Sequence, residues 1–266
     1  MLRKLLKYEF QATGRIFLPL YLLLFLFTVM NKAFLSMNSG NIGASGLQIP
    51  TFLAMTAYVC IVVAIVVVTL VATIQRFYKN LLTDEGYLMF TLPVSVHSHI
   101  FSKLLVASVW TLLSTIFSIL SVFILAASPD FMNTLSRMIQ SFLQAFGQFG
   151  APMYLITGEA VVLVLVTLAA SILNIYVSIA LGHLVKKHRV AGALGAYFLI
   201  GLVEQFLFSV FMMAAKDGEW FRFFENWDHT VLIESGLAAL ILVTAALGAI
   251  YYFGTYYILK NKLNLE

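Results

Sequence analysis

Residues 51–77 read TFLAMTAYVCIVVAIVVVTLVATIQRF, with no charged side chain before Arg76. A bilayer span needs about 20 mostly apolar residues, and this run exceeds that. Comparable runs recur over residues 16–35, 101–127, 153–185, 191–215 and 231–259. The whole chain of 266 residues is 61% hydrophobic and 11% charged, with a mean hydropathy of +0.95. Those values lie outside the soluble globular class. The expected fold class is an all-α polytopic membrane protein. It has six transmembrane helices in one transmembrane domain over residues 1–266 and no sizeable soluble domain.

Lysine and arginine orient the spans, because cytoplasmic loops are enriched in them. Twelve of the 16 fall on one side, at positions 3, 4, 7, 15, 76, 79, 103, 186, 187, 189, 260 and 262. Lys32, Arg137, Lys216 and Arg222 fall on the other. Both termini are therefore expected in the cytoplasm. The start is basic and then apolar, as in a signal peptide, but no A-x-A-like cleavage site follows, so it is expected to be retained. The single cysteine, Cys60, forms no internal disulfide and is expected to be a small buried hydrophobe.

Two segments are amphipathic without being spans. In residues 1–15, Leu2, Leu5, Leu6 and Phe10 share one helical face, while Arg3, Lys4, Lys7, Gln11 and Arg15 share the other. That pattern predicts a basic helix lying in the inner membrane interface. Glu9 falls in the middle of the apolar face. A charge there needs a partner, expected to be an Arg or Lys from a neighbouring cytoplasmic segment. In residues 128–150, Ser128 is placed to cap a helix and Pro129 to occupy its first position. Phe131, Leu135, Met138, Phe142 and Phe146 recur at helical spacing, and Gly147 and Gly150 end the segment. It reads as a passive interfacial helix or as a lid over an exit path. The outer loop KDGEWFRFFENWDHT, residues 216–230, supplies aromatic belt anchors.

The chain lacks the residues of several catalytic classes. It has no G-x-x-x-x-G-K-[ST] and no H-E-x-x-H, which excludes P-loop ATP hydrolysis and zincin chemistry by this chain. GASG at 43–46 matches the G-x-S-G of rhomboid-type proteases, but Ser45 falls in an outer loop and no histidine lies deep in a span. His97 and His99 are two apart and point to different helical faces, so they do not form a metal site by themselves. No catalytic or metal-binding residue is expected. What remains is carboxylate. Glu204, beside Gln205, lies mid-span, and Glu159 and Glu234 lie near the outer ends of the fourth and sixth spans. A carboxylate at bilayer depth faces protein or water. Glu204 reads as a substrate-path residue or an interhelical lock, and the outer two as side chains reaching the interface; Glu159, Glu204, Gln205 and Glu234 together stand as the candidate substrate path, agreeable to a cationic helical peptide.

Following the 51–77 run comes the polar island RFYKNLLTDEGYLMFTLPVSVHSHIFSK, residues 76–103. Leu88, Met89 and Leu92 give it an apolar side, Asp84 and Glu85 give it charge, Gly86 is small, and Pro93 ends it before a new helix. A short, partly apolar helix at a membrane surface suits docking into a groove on a soluble partner.

This stretch resembles the coupling segment of type-two ABC exporter permeases. The matching residues are Glu85, Gly86, the hydrophobic Leu88 to Phe90, Leu92-Pro93-Val94-Ser95 and Lys103. Tyr87 stands where many members carry threonine. LLKYEF and RFYKNLLTDEGYLMFTLP are similar to the smaller bacterial members, including exporters of amphipathic peptides such as phenol-soluble modulins. The resemblance implies an N-terminal elbow helix over 1–15 and a cytoplasmic coupling segment over 78–100. It implies an ATPase-docking set of Asp84, Glu85, Gly86, Tyr87, Leu88, Met89, Leu92 and Pro93. It also implies two copies of a separate P-loop ATPase that hold ATP and Mg²⁺, a second copy of this chain, and amphipathic peptide cargo. No cofactor on this chain and no nucleic-acid partner are expected, and the location implied is the bacterial cytoplasmic membrane. A proton-coupled carrier built on Glu204, and a non-transporting scaffold or immunity subunit, stand as alternatives.

Overall fold

A computed structural model describes residues 2–40, 48–82, 95–185, 188–217 and 228–262. Among these, helix is the only regular structure. α1 runs Leu2–Gly40, α2 Gln48–Leu82, α3 Val96–Ala126, α4 Pro129–Phe149, α5 Ala151–His183, α6 Arg189–Asp217 and α7 His229–Asn261. All but α4 are long and apolar enough to cross a membrane, over 25 to 34 residues each. At about 1.5 Å rise per residue the longer ones reach about 50 Å, against a hydrocarbon core of about 30 Å. Helices of that length tilt or project into the interface. Leu22, Phe52, Ile116, Leu165, Phe206 and Leu242 stand exposed along them, as lipid-facing side chains do. Cys60 is exposed rather than buried; it lies on an outward face of α2, where lipid and not protein supplies the apolar surroundings.

One compact unit comprises Met1–Arg76 and Phe101–Gln140. α1 begins at Leu2 and continues without a break past residue 15, with Pro19 inside it. The elbow expected as a separate interfacial element is therefore the first turns of a 39-residue helix. The reason is that its apolar stripe does not stop. Leu6 and Phe10 pack against the same cluster as Phe17, Tyr21 and Leu24 of α1, Tyr58 and Ile65 of α2, and Val106 and Trp110 of α3. The Phe17 ring stacks on Trp110 with centroids 4.7 Å apart.

Lipid tails are as apolar as leucine, so packing and interhelical hydrogen bonds specify helix contacts in a membrane. In this unit hydroxyls do much of that work. Ser114 Oγ on α3 lies 2.7 Å from Tyr21 Oη on α1 and 3.0 Å from Thr69 Oγ1 on α2, joining three helices at one point. Tyr58 Oη lies 2.8 Å from Ser121 Oγ. Asn31 Nδ2 donates to the Ala54 carbonyl at 3.0 Å. Lys32 Nζ donates to the Leu125 and Ala127 carbonyls, satisfying acceptors that the end of α3 leaves free and meeting its dipole.

The second unit comprises Phe77–Ile100 and Ser141–Glu266. Here α5 packs on α7 and on α6, and small residues set the contacts. A Cβ on Gly248 would sit 3.5 Å from Ala170 Cβ, and one on Gly254 would sit 3.1 Å from Val177 Cγ2. Both numbers rise together, so α5 and α7 run parallel. Phe77 stacks on Tyr176 at 4.1 Å, and His183 Nε2 lies 3.1 Å from the Leu82 carbonyl.

α4 bears out its predicted start. Ser128 Oγ accepts from the Phe131 N–H at 3.2 Å, with Pro129 as the first helical residue. None of its residues is buried. It is followed by Gly150 at φ +59°, a left-handed conformation that glycine adopts without strain.

The tightest approach is at Gly182, where an added Cβ would lie 2.6 Å from Ala193 Cβ, close to backbone. Gly158, on the same helix, has open space around it. Gly182→Ala is expected to destabilise the fold by about 1–3 kcal/mol through overpacking, while Gly158→Ala is expected to be neutral or slightly stabilising. Thermal unfolding of the detergent-solubilised chain, followed by loss of the monodisperse chromatographic peak, separates the two.

Candidate functional site

Glu9 lies on the apolar stripe of α1 and is 5% exposed. Each of its carboxylate oxygens meets a cation from a different helix. Lys103 Nζ of α3 donates to Oε1 at 2.8 Å, and Arg76 Nη1 of α2 stands 3.6 Å from Oε2. The Lys103 side chain is 1% exposed and that of Arg76 29%. The expected partnership of Glu9 with a Lys or Arg from a neighbouring segment is borne out by both Lys103 and Arg76. One turn on, Thr13 Oγ1 donates to the Glu9 carbonyl at 2.7 Å, so that hydroxyl turns to its own backbone. Leu5 and Leu6 are half-buried beside this group, Phe10 lies against the Trp110 ring with centroids 6.3 Å apart, and Leu2 opens α1.

Arg76 lies in the next-to-last turn of α2, and Lys103 in the second turn of α3. The connection that joins these helix ends holds Asp84, Glu85, Gly86, Tyr87, Leu88, Met89, Leu92 and Pro93, all outside the described residues. So do Ser45 and most of the outer loop that begins at Lys216.

The three membrane-depth carboxylates all belong to the second unit. Glu204 of α6 accepts a hydrogen bond from the Tyr251 hydroxyl of α7, which makes it an interhelical tie. Gln205 is exposed. One residue is about 100° of helix turn, so Gln205 points to a different side of α6 from Glu204.

Glu159 of α5 lies two turns before Val166, which lines the α5–α7 groove, and so occupies the same face. Glu234 lies four turns before Gly248 on the α5-facing stripe of α7. The register that places Ala170 against Gly248 and Val177 against Gly254 brings the two glutamates to the same level within about 5 Å along the axis. Glu159 Oε2 and Glu234 Oε1 are each buried, with no hydrogen-bond partner among the described residues. Each of these two half-buried glutamates thus turns one oxygen inward. Below them the α5–α7 groove has a volume of about 260 Å³ and is lined by Val166, Ala169, Leu173, Thr244, Tyr252 and Phe253, among others. It is open and almost wholly apolar.

His97 and His99 separate as their spacing predicts. His97 is exposed, stacks on Tyr256 at 4.1 Å and places Nδ1 2.6 Å from the Tyr252 hydroxyl, while His99 is fully buried. Among the described residues no three His, Cys, Asp or Glu side chains gather to hold a metal. Sequence reasoning missed Tyr251 and the Tyr21–Ser114–Thr69 node. A lone tyrosine or serine in an apolar run is a weak signal, because only the facing helix reveals its partner.

No family model, curated protein or solved structure matches the chain.

Proposed function

We propose that this chain is the membrane-spanning permease of an ATP-driven exporter whose cargo is a cationic, amphipathic peptide. The observation that carries the proposal is the pair Glu159 and Glu234, on facing stripes of two parallel spans, each with a buried oxygen that no donor among the described residues meets. An unsatisfied buried acceptor costs about 1–3 kcal/mol, more when charged. Two such groups on one helix interface suit a path that a Lys- or Arg-bearing cargo passes, supplying the missing donors in transit. The apolar α5–α7 groove beside them suits the cargo's apolar face.

The energy source follows from the resemblance of residues 76–103 to the coupling segment of type-two ABC permeases. In this reading the chain hydrolyses nothing itself. Two P-loop ATPase subunits bind ATP and Mg²⁺ and dock on the α2–α3 connections of two copies of the chain. Asp84 and Glu85 face the basic edge of the ATPase groove, and Leu88, Met89 and Leu92 fill it. Nucleotide-driven closure of the ATPases then selects an outward-open arrangement of the spans. The connection and both termini lie in the cytoplasm, as the lysine and arginine distribution requires. The membrane is the bacterial cytoplasmic one, and lipid is the partner of the remaining exposed surface.

A second reading is favoured by one observation. Glu204 pairs with Tyr251 inside the spans, and a protonatable carboxylate with a neutral donor is the kind of group a proton-driven carrier uses.

Affinity purification of the tagged chain in mild detergent distinguishes the two. The expected result is a co-purifying P-loop ATPase, reduced at least tenfold by Asp84→Arg with Glu85→Arg. If no ATPase co-purifies with the native chain, the proton-driven reading replaces the exporter. A further prediction concerns cargo. With a synthetic cationic amphipathic helix as probe, Glu159→Gln with Glu234→Gln is expected to raise the peptide concentration for half-maximal ATPase stimulation about tenfold or more. A charge-assisted contact contributes about 1.5–3 kcal/mol, and each 1.4 kcal/mol is tenfold. An unchanged concentration dependence removes these glutamates from the path.

A further inference from the structure

We infer that Glu9 is a positioning residue that couples both stems of the α2–α3 connection to α1, with a fixed half at Lys103 and a releasable half at Arg76. The inference rests on the exporter reading only for what pushes the stems; the clasp itself is geometric.

The carboxylate divides its oxygens between two helices. On the α3 side the contact is short, 2.8 Å, and its lysine is 1% exposed. A buried charge that loses its partner is strongly destabilising, so Glu9 and Lys103 stay together through any motion the fold survives. Further contacts between α1 and α3 follow the same line, with Phe17 stacked 4.7 Å from Trp110 and Tyr21 bonded to Ser114. α1 and α3 are thus tied from Glu9 to Ser114, and α2 joins them at the Ser114 end through Thr69, leaving Arg76 as its tie at the other end.

On the α2 side the contact differs in kind. The Arg76 guanidinium stands 3.6 Å from Glu9 Oε2, and its side chain is 29% exposed. Water can replace Glu9 there, so this half opens at modest cost. Arginine suits such a contact, because its guanidinium is weakly hydrated and presents several donors. A load applied to the connection therefore separates α2 from the α1–α3 body at Arg76 first, and re-formation of the contact returns it. An apolar patch of equal volume would hold the three helices as well or better, but it would not give one strong and one weak half at a single side chain.

The test uses the complex with its ATPase, reconstituted in liposomes, and the synthetic cationic amphipathic helix as cargo. Arg76→Gln is expected to retain the ATPase and to keep unstimulated hydrolysis within twofold, but to lower peptide moved per ATP about tenfold. Glu9→Gln with Lys103→Met removes both members of the buried pair at once and leaves Arg76, which is part exposed, to water. It is expected to fold and to show the same loss, and adding Arg76→Gln to it is expected to lower the ratio no further. A merely structural role predicts lower thermal stability with an unchanged ratio, and that result overturns the inference. So does a triple variant whose loss multiplies those of its parts.

A second readout needs no ATPase. In the native chain in lipid, backbone amides of the last two turns of α2 are expected to exchange hydrogen at least tenfold faster after Arg76→Gln, with α1 and α3 unchanged. Uniform or unchanged exchange overturns the clasp, even where an ATPase co-purifies. Absence of an ATPase with selective exchange overturns the exporter reading and upholds the clasp.

Discussion

A carboxylate withdrawn from water must be given a counter-charge or a donor, and the carboxylates of this chain receive that compensation to different degrees. Glu9 receives two cations, one of them almost fully buried. Glu204 receives a single neutral donor, the Tyr251 hydroxyl. Glu159 and Glu234 each leave an oxygen buried and unmet among the described residues. Electrostatic interactions strengthen as the local dielectric falls, so these differences are large in a membrane. A met charge ties helices together; in the exporter reading, an unmet one is where cargo supplies the donor.

The two units hold their helices together by different physics. In the first, hydroxyl and amide groups bridge α1, α2 and α3, and an aromatic stack sets α1 against α3. Such contacts specify one register, because sliding by a residue breaks directional bonds. In the second, α5 and α7 meet through glycine, alanine and valine, where close backbone approach and van der Waals packing act. An interface of that kind has few directional bonds to break. The unmet glutamates and the apolar groove lie on this second, smoother interface, while the ion clasp lies in the first.

Much of the fold was legible in the sequence, since spans announce themselves by length and hydropathy alone. The six runs read from residues 16–259 correspond to the six membrane-length helices, and Ser128 and Pro129 marked the start of α4. Glu9 was legible as a charge in want of a partner, because its neighbours at helical spacing are apolar. Which residues answer it was not, since Lys103 is remote in sequence and only packing of α1 on α3 brings it near. The elbow boundary at residue 15 failed for a local reason. The stripe of Leu6 and Phe10 continues into Phe17, Tyr21 and Leu24, so no change of face marks an end. Gln205 was grouped with Glu204 by adjacency, where the helix sends consecutive residues to different faces. Tyr251 carried no signal of its own, as its hydroxyl acquires meaning only opposite Glu204.

Lys103 shows what a motif match does and does not identify. In the resemblance it closes the docking pattern, which suggests a contact with the partner. In the fold it turns inward and is taken up by Glu9. A residue can therefore belong to a docking pattern because it holds the stems of the docking segment, without touching what docks. The same reasoning explains the polar island in so apolar a chain. Its outer charges, Arg76 and Lys103, are drawn to one buried carboxylate at the segment's root. In the exporter reading, Asp84 and Glu85 are left as the charges a soluble partner meets. In that reading the island is held to the spans at its two stems by Glu9 and offers its middle to the motor.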